Sequence, residues 1–279
     1  MLHTRPAGPR ATREPLQFGA EIYGHAGAEA DLEVLSLALD CLRAARVSGL
    51  RVDLGHAGVV KALLGDVVLD ESTWAALHQA LATKDQAALQ AALAPAQVPA
   101  AVLADLCALT GLYGGLDVLD LAKKAIQRAP FLEGVLSNLK FLASHLDTDV
   151  VVSVDLGDLR GYTYYSGARF AIYADGAPDA LVRGGRYDEV GAVFGRRRPA
   201  VGFSLDVREL AAAAPRQPLR AAVRAPWGEQ AALRQAIAGL RARGETVVCV
   251  LPGHEHQVDE FDCDRELIEV AGQWVLQAL

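Results

Sequence analysis

Between about residues 56 and 147 the sequence reads as helix. Segments such as "STWAALHQALATKDQAALQAAL" and "FLEGVLSNLKFLASHL" are punctuated by Pro95, Pro99, Gly114, Gly115 and Pro130. Strand-like text lies on both sides of this block. Before it, "LQFGAEIYG" (16–24) alternates with period two: Leu16, Phe18, Ala20 and Ile22 share one face, and Gln17, Gly19, Glu21 and Tyr23 the other. A helix follows over 29–46, with Leu32, Leu35, Leu39 and Leu42 at helical spacing, then a short strand "LRVDLG" at 50–55. After the block, strand character is predicted at 149–155 and 162–174, in "LVRGGRYDEV" and in "PAVGFSL", with a helix from about 205. Strand–helix–strand, a helical block and then several strands predict an α+β fold with a mostly antiparallel sheet.

The chain changes character at "AAAAPRQPLR" (211–220), which divides it into a domain over 1–212, with its helical insertion at about 56–147, and a small C-terminal α/β domain over 217–279. In the latter a strand near 219–223, a helix near 228–243, the strand "TVVCVL" and a hairpin around Gly272 are expected. With 27 Lys and Arg against 34 Asp and Glu, the formal charge is 27 − 34 = −7, and a general nucleic-acid footprint is missing. Cys41, Cys107, Cys249 and Cys263 lie far apart without a C-x-x-C pair, which argues against a zinc site or a disulfide scaffold and for a reducing, cytoplasmic setting. No apolar run reaches the ~18 residues of a membrane span, and the Arg- and Pro-rich start has no apolar core of a signal peptide.

Three stretches can carry chemistry. On the polar face of the first strand, Gln17 and Glu21 flank Gly19, which leaves room for a ligand to approach the backbone; the same face also reads as a solvated strand surface. "LRGYTYYSGARF" (159–170) places Arg160 at a strand entrance, with a donor fork suited to a carboxylate, ahead of three of the chain's seven tyrosines. It is either a packed strand or a pocket wall for a small polar ligand. In "RGGRYDEVGAVFG" (183–195) two glycines before Arg186, Tyr187 and Asp188 imply close approach to the backbone. "RRR" at 196–198 and "GHEH" at 253–256 read as exposed loops, and no P-loop, H-E-x-x-H or G-x-S-x-G motif is present.

In order, "REPLQFGAEIYG", "LRGYTYYSG", "VRGGRYDEV" and "PAVGFSLDVREL" resemble the signatures of histidyl-tRNA synthetases and their paralogues, over residues 3–210. The resemblance implies the class II aminoacyl-tRNA synthetase-like fold, an antiparallel sheet with flanking helices, the block at 56–147 taking the place of the synthetase insertion. It further implies that Gln17, Glu21, Arg160, Tyr165 and Tyr187 line a histidine pocket. The departures bear on activity. The family's motif 2 arginine, which clamps the ATP α-phosphate, aligns with His3, or with Leu2 after a one-residue gap; its glutamate becomes Arg5, and Arg13 anchors the alignment. The motif 3 arginine falls on Glu209, while Arg208 is turned about 100° away on a helix. Thr163 replaces the usual aspartate of the R-G-x-D-Y-Y motif.

A pocket without phosphate-binding cations, and a tail too short for the synthetase anticodon-binding domain, resemble the regulatory-subunit paralogues of ATP phosphoribosyltransferase. That resemblance implies a non-catalytic subunit with no catalytic residues, no metal and no cofactor. It also implies the short-form catalytic subunit as partner in the first step of histidine biosynthesis, L-histidine as effector, and no tRNA. The alternative is a histidyl-tRNA synthetase-like enzyme or an ATP-dependent amino-acid ligase. Family members carry about a hundred residues ahead of motif 2, so a further segment closing one side of the pocket is expected.

Overall fold

The computed structural model describes residues 14–126, 130–161, 163–191, 195–215, 221–254 and 262–279. Leu2, His3, Arg5 and Arg13 of the motif 2 comparison, Tyr162, Ala192, Val193 and Phe194 of "RGGRYDEVGAVFG", residues 219 and 220 of the expected strand, and Glu255 and His256 of "GHEH" lie outside them. The chain divides into two compact units, Met1–Pro215 and Arg216–Leu279.

The first unit is built on a seven-stranded sheet. Its strands are β1 (Gln17–Tyr23), β2 (Arg51–His56), β3 (Tyr113–Gly114), β4 (Val151–Asp155), β5 (Ala168–Tyr173), β6 (Val182–Arg186) and β7 (Ala200–Asp206), in the spatial order β1-β7-β6-β5-β2-β4-β3. Only β2 and β4 pair in parallel; the other pairs are antiparallel. The sheet is therefore mostly antiparallel, as the sequence predicts. One face is apolar because alternate residues are: Val52, Leu54, Phe170, Ile172, Val182, Val201, Phe203 and Leu205 are all buried. Helices α1 (Ala28–Ala44) and α7 (Phe131–Ser144) cover that face with Val34, Leu35, Leu42, Leu136 and Leu139. The helical block contains α2 (Gly58–Leu64), α3 (Glu71–Ala82), α4 (Gln86–Leu93), α5 (Ala100–Ala108) and α6 (Val118–Ala125). Asp70 and Asp85 cap α3 and α4 by accepting from the backbone N–H of Thr73 and Ala88, at 2.7 and 2.9 Å. The block is not wholly helical: Tyr113–Gly114 adds a two-residue strand, β3, to the sheet edge beside β4.

A second difference bears on function. The strand expected over 162–174 begins only at Ala168. Gly161 has φ +71°, and the N–H groups of Tyr164 and Tyr165 both donate to its carbonyl at 2.9 Å, so the chain turns there instead of extending. The Tyr and Thr residues carry strand propensity, and local hydrogen bonding overrides it.

In the second unit β8 (Ala222–Pro226), β9 (Val247–Val250), β10 (Cys263–Val270) and β11 (Gln273–Ala278) form a sheet in the order β11-β10-β8-β9. Helix α9 (Ala231–Ala242) adds Leu233, Ile237 and Leu240 to Val223, Val247 and Leu267 in a small core of its own.

Two polar groups of the first unit bear on its stability, the buried Arg186 and the partly buried His56. Arg186, on the helix-covered face of β6, donates to the carbonyls of His25 and Gly27 (both 3.0 Å) and pairs with Asp31 of α1 at 2.7 Å and with Asp188 at 3.3 Å. Replacing Arg186 with Met leaves Asp31 charged and buried, so a loss of about 3–5 kcal/mol is expected in denaturant melts. His56, at the end of β2, accepts the Gly58 N–H at 3.1 Å, and burial pushes its imidazole down to about 4. The folded state thus holds this ring neutral, whereas the unfolded chain protonates it near ~6.5. Its contribution is complete above about pH 6.5 and fades as pH falls towards 4, to a total of about 3 kcal/mol. Stability measured from pH 7 to 4 should fall more steeply for the wild type than for His56→Gln.

Candidate functional site

The face of the large sheet opposite α1 and α7 is polar. Directly paired residues put Glu21, Gly202, Gly185, Arg169 and Gly55 in one row across β1, β7, β6, β5 and β2. Three of these five positions have no side chain, so the row is a bare floor with a carboxylate at one end and a guanidinium towards the other. Gly202 leaves no room for a side chain. A Cβ there would lie 2.7 Å from Glu21 Cγ, 2.9 Å from the Ala20 carbonyl oxygen and 3.0 Å from the Tyr187 hydroxyl. Gly19 does a different job from the one expected of it: a Cβ there would collide with the Phe203 carbonyl, so the backbone that approaches it is β7 and not a ligand.

Around Glu21 the structure gathers aromatic rings. The Tyr23 hydroxyl donates to the Glu21 carboxylate. Tyr187, only 4% exposed, is held in place from the backbone by its N–H to the Ala200 carbonyl at 2.8 Å. Burial, then the neighbouring Glu21 carboxylate, raises its phenol well above the ordinary range. The ring of Tyr164 lies 4.8 Å from that of Tyr187 at 32° and 5.3 Å from that of Tyr165 at 81°. Tyr165 is half-buried and, with Arg160, Tyr164, Arg169, Phe170 and Arg183, lines a cleft of about 310 Å³.

Arg160 stands at the mouth of this cleft. Its Nε and Nη2 donate to Asp158 Oδ2 at 2.8 and 2.5 Å, and its Nη1 to the Tyr173 hydroxyl at 2.9 Å. Asp158 also pairs with the buried Arg169. Burial alone would push the Asp158 carboxyl up, but the hydrogen bonds from Arg160 and the charge of Arg169 outweigh it and bring it to about 2. The arrangement can take a small zwitterion, with cationic groups at the Glu21 end, anionic groups at the arginine end, and flat rings between them.

Of the five residues expected at the site, Glu21 and Tyr187 meet directly, and Arg160 and Tyr165 meet in the cleft. Tyr164, which was not among them, joins the two groups. Gln17 lies on the same face but opposite Asp206, four residues along the strand from Glu21 and so about 13 Å away. Glu209 is exposed in the first turn of α8 (Val207–Ala213), beside Arg208, whose N–H bonds Asp206 at 2.8 Å. Arg197 pairs with Glu189 at 3.1 Å on the surface. Among the described residues no group of three His, Cys, Asp or Glu side chains could hold a metal, and no helix is long and apolar enough to cross a membrane.

A family model described as histidyl-tRNA synthetase matches residues 1–210, and one described as the ATP phosphoribosyltransferase subunit HisZ C-terminal domain matches residues 220–277. The ATP phosphoribosyltransferase regulatory subunit of Variovorax paradoxus is 61% identical over 282 residues, covering 100% of this chain and 72% of the relative. The chain belongs to the family of ATP phosphoribosyltransferase regulatory subunits. The regulatory subunit of Albidiferax ferrireducens is 60% identical with the same coverage. Among solved structures, an ATP phosphoribosyltransferase regulatory subunit/histidyl-tRNA synthetase from Bacillus halodurans superposes with a TM-score of 0.72 at 26% identity, over 91% of this chain and 69% of that one. A histidyl-tRNA synthetase from Nostoc, at 15% identity, also gives 0.72, over 95% and 72%, and shares the fold.

The tyrosine cluster predicts a spectroscopic signature. Tyr23, Tyr164, Tyr165 and Tyr187 all have raised phenol values, and the chain has seven tyrosines. An ultraviolet titration of the folded protein to about pH 11 should ionise fewer than seven, whereas in urea all should titrate near ~10. Tyr187→Phe should remove the last component. Seven ordinary tyrosines in the folded protein would contradict the arrangement.

Proposed function

We propose that this regulatory subunit is non-catalytic, binds L-histidine on the polar sheet face, and passes its occupancy to the short-form catalytic subunit of ATP phosphoribosyltransferase in the cytoplasm. The observation that carries the reading is the Tyr164 ring, which links the Glu21–Tyr187 group to the arginine-lined cleft in one continuous site. Glu21 offers a carboxylate to the ligand's ammonium or imidazole. Arg160 offers a fork to its carboxylate, and Tyr165 and Tyr187 close over its ring. Gln17 contributes by extending the polar face rather than by touching the same atoms. The domain over 1–212 carries this site.

Membership of the regulatory-subunit family supports the partner, and Glu209 at the motif 3 position supports a subunit that neither activates amino acids nor charges tRNA. Any effect of histidine is then a coupling between sites on different polypeptides, typically about 1–3 kcal/mol, and it requires histidine to discriminate two arrangements of the complex.

The test is co-purification of the full-length protein with the catalytic subunit, followed by phosphoribosyltransferase assays over a range of histidine concentrations. Inhibition by histidine should weaken about 30-fold or more in Glu21→Gln, the effect of removing a charged partner from an enclosed ligand group at about 2–5 kcal/mol. An unchanged inhibition curve would put the effector elsewhere. Histidine-dependent pyrophosphate exchange by the purified protein would favour the synthetase-like reading.

A further inference from the structure

We propose that Asp158 is the positioning residue of this site: it holds Arg160 so that the free edge of its guanidinium receives an oxyanion of the ligand, and Arg169 holds Asp158. The proposal rests on the amino-acid-binding reading above and adds to it a residue two positions ahead of the motif arginine.

The donor arithmetic leads to it. An arginine has five N–H groups. In Arg160 the Nε–H and one N–H of Nη2 go to Asp158 Oδ2, and one N–H of Nη1 goes to the Tyr173 hydroxyl. Among the described residues two remain without a partner, one on each terminal nitrogen, which is the number a carboxylate accepts in a fork. Asp158 also fixes the main chain of the same residue, because the Arg160 backbone N–H donates to its Oδ1 at 2.9 Å. The next residue is Gly161, from whose carbonyl the turn bearing Tyr164 and Tyr165 is hung. One carboxylate therefore orients both the cation and the start of the aromatic wall.

Burial separates the roles of the two arginines. The side chains of Asp158 and Arg169 are 8% and 9% exposed, whereas that of Arg160 is 48% exposed. Arg169 is thus the internal counter-charge and Arg160 the one presented outward. Asp158 carries one negative charge against these two positive ones, and Arg183 across the cleft is paired with Asp179. Among the described residues the cleft is left with one uncompensated positive charge, which suits a monoanionic group.

The test uses calorimetry on the full-length protein with two ligands, L-histidine and L-histidinol, in which a hydroxymethyl group replaces the carboxylate. The wild type should prefer histidine, and Arg160→Ala should abolish that preference. Asp158→Asn should lower histidine affinity about tenfold or more while changing histidinol affinity less than about twofold, the cost falling on orientation of the fork. Added to Arg160→Ala, it should have no further effect on histidine. Tyr173→Phe leaves the buried pair intact and should give a smaller loss, about threefold, again confined to histidine; it decides the matter if Asp158→Asn does not fold. Equal losses for both ligands, or an Asp158→Asn effect that persists without Arg160, would overturn the positioning role. A preference for histidine that survives Arg160→Ala would instead overturn the placement of the ligand's carboxylate, a distinct failure.

Discussion

The antiparallel register from β1 through β7, β6 and β5 to β2 is the constraint on which the rest of this molecule depends. Side chains alternate along every strand, so one register sends Phe203, Leu205, Val182, Ile172 and Val52 together into the helices. The same register lines Glu21, Gly202, Gly185 and Arg169 across the opposite face. A slip of one residue in any pairing would bury charges and expose the core, so folding energy and site geometry are enforced by one set of hydrogen bonds. The buried Arg186 reinforces the arrangement by tying β6 to the start of α1.

The site is accordingly made of rigid parts. Its glycine floor belongs to strands, its Glu21 to the outermost strand among the described residues, and its Arg160 to a short loop kept in shape by Asp158. Tyr164 is 44% exposed, and its ring spans between these parts. A ring in that position is the element best suited to respond when a ligand fills the cleft, since it touches both ends of the site without belonging to either core.

Much of this was legible in the residues. Period-two alternation placed Gln17 and Glu21 on the polar face of β1, and the motif order led to the fold, to Arg160, Tyr165 and Tyr187, and to the family. What the sequence hid has physical causes. The turn after Gly161 was concealed by strand-favouring Tyr and Thr residues, and with it the role of Tyr164. The shared carboxylate of Asp158 depends on Arg169, which arrives from the middle of β5, and no local spacing reports such a meeting. Gln17 and Glu21 share a face, but strand rise alone keeps them about 13 Å apart. Gly19 reads as an opening for a ligand until the β7 carbonyl is seen to fill it.

The central claim, that the polar sheet face is an amino-acid site, is tested most directly by a crystal structure of the full-length protein with L-histidine. The account predicts the ligand above the glycine floor, its carboxylate on the free edge of Arg160 and its cationic end at Glu21, with Tyr165 and Tyr187 against its ring. Histidine bound away from these residues, with the cleft unchanged, would contradict it.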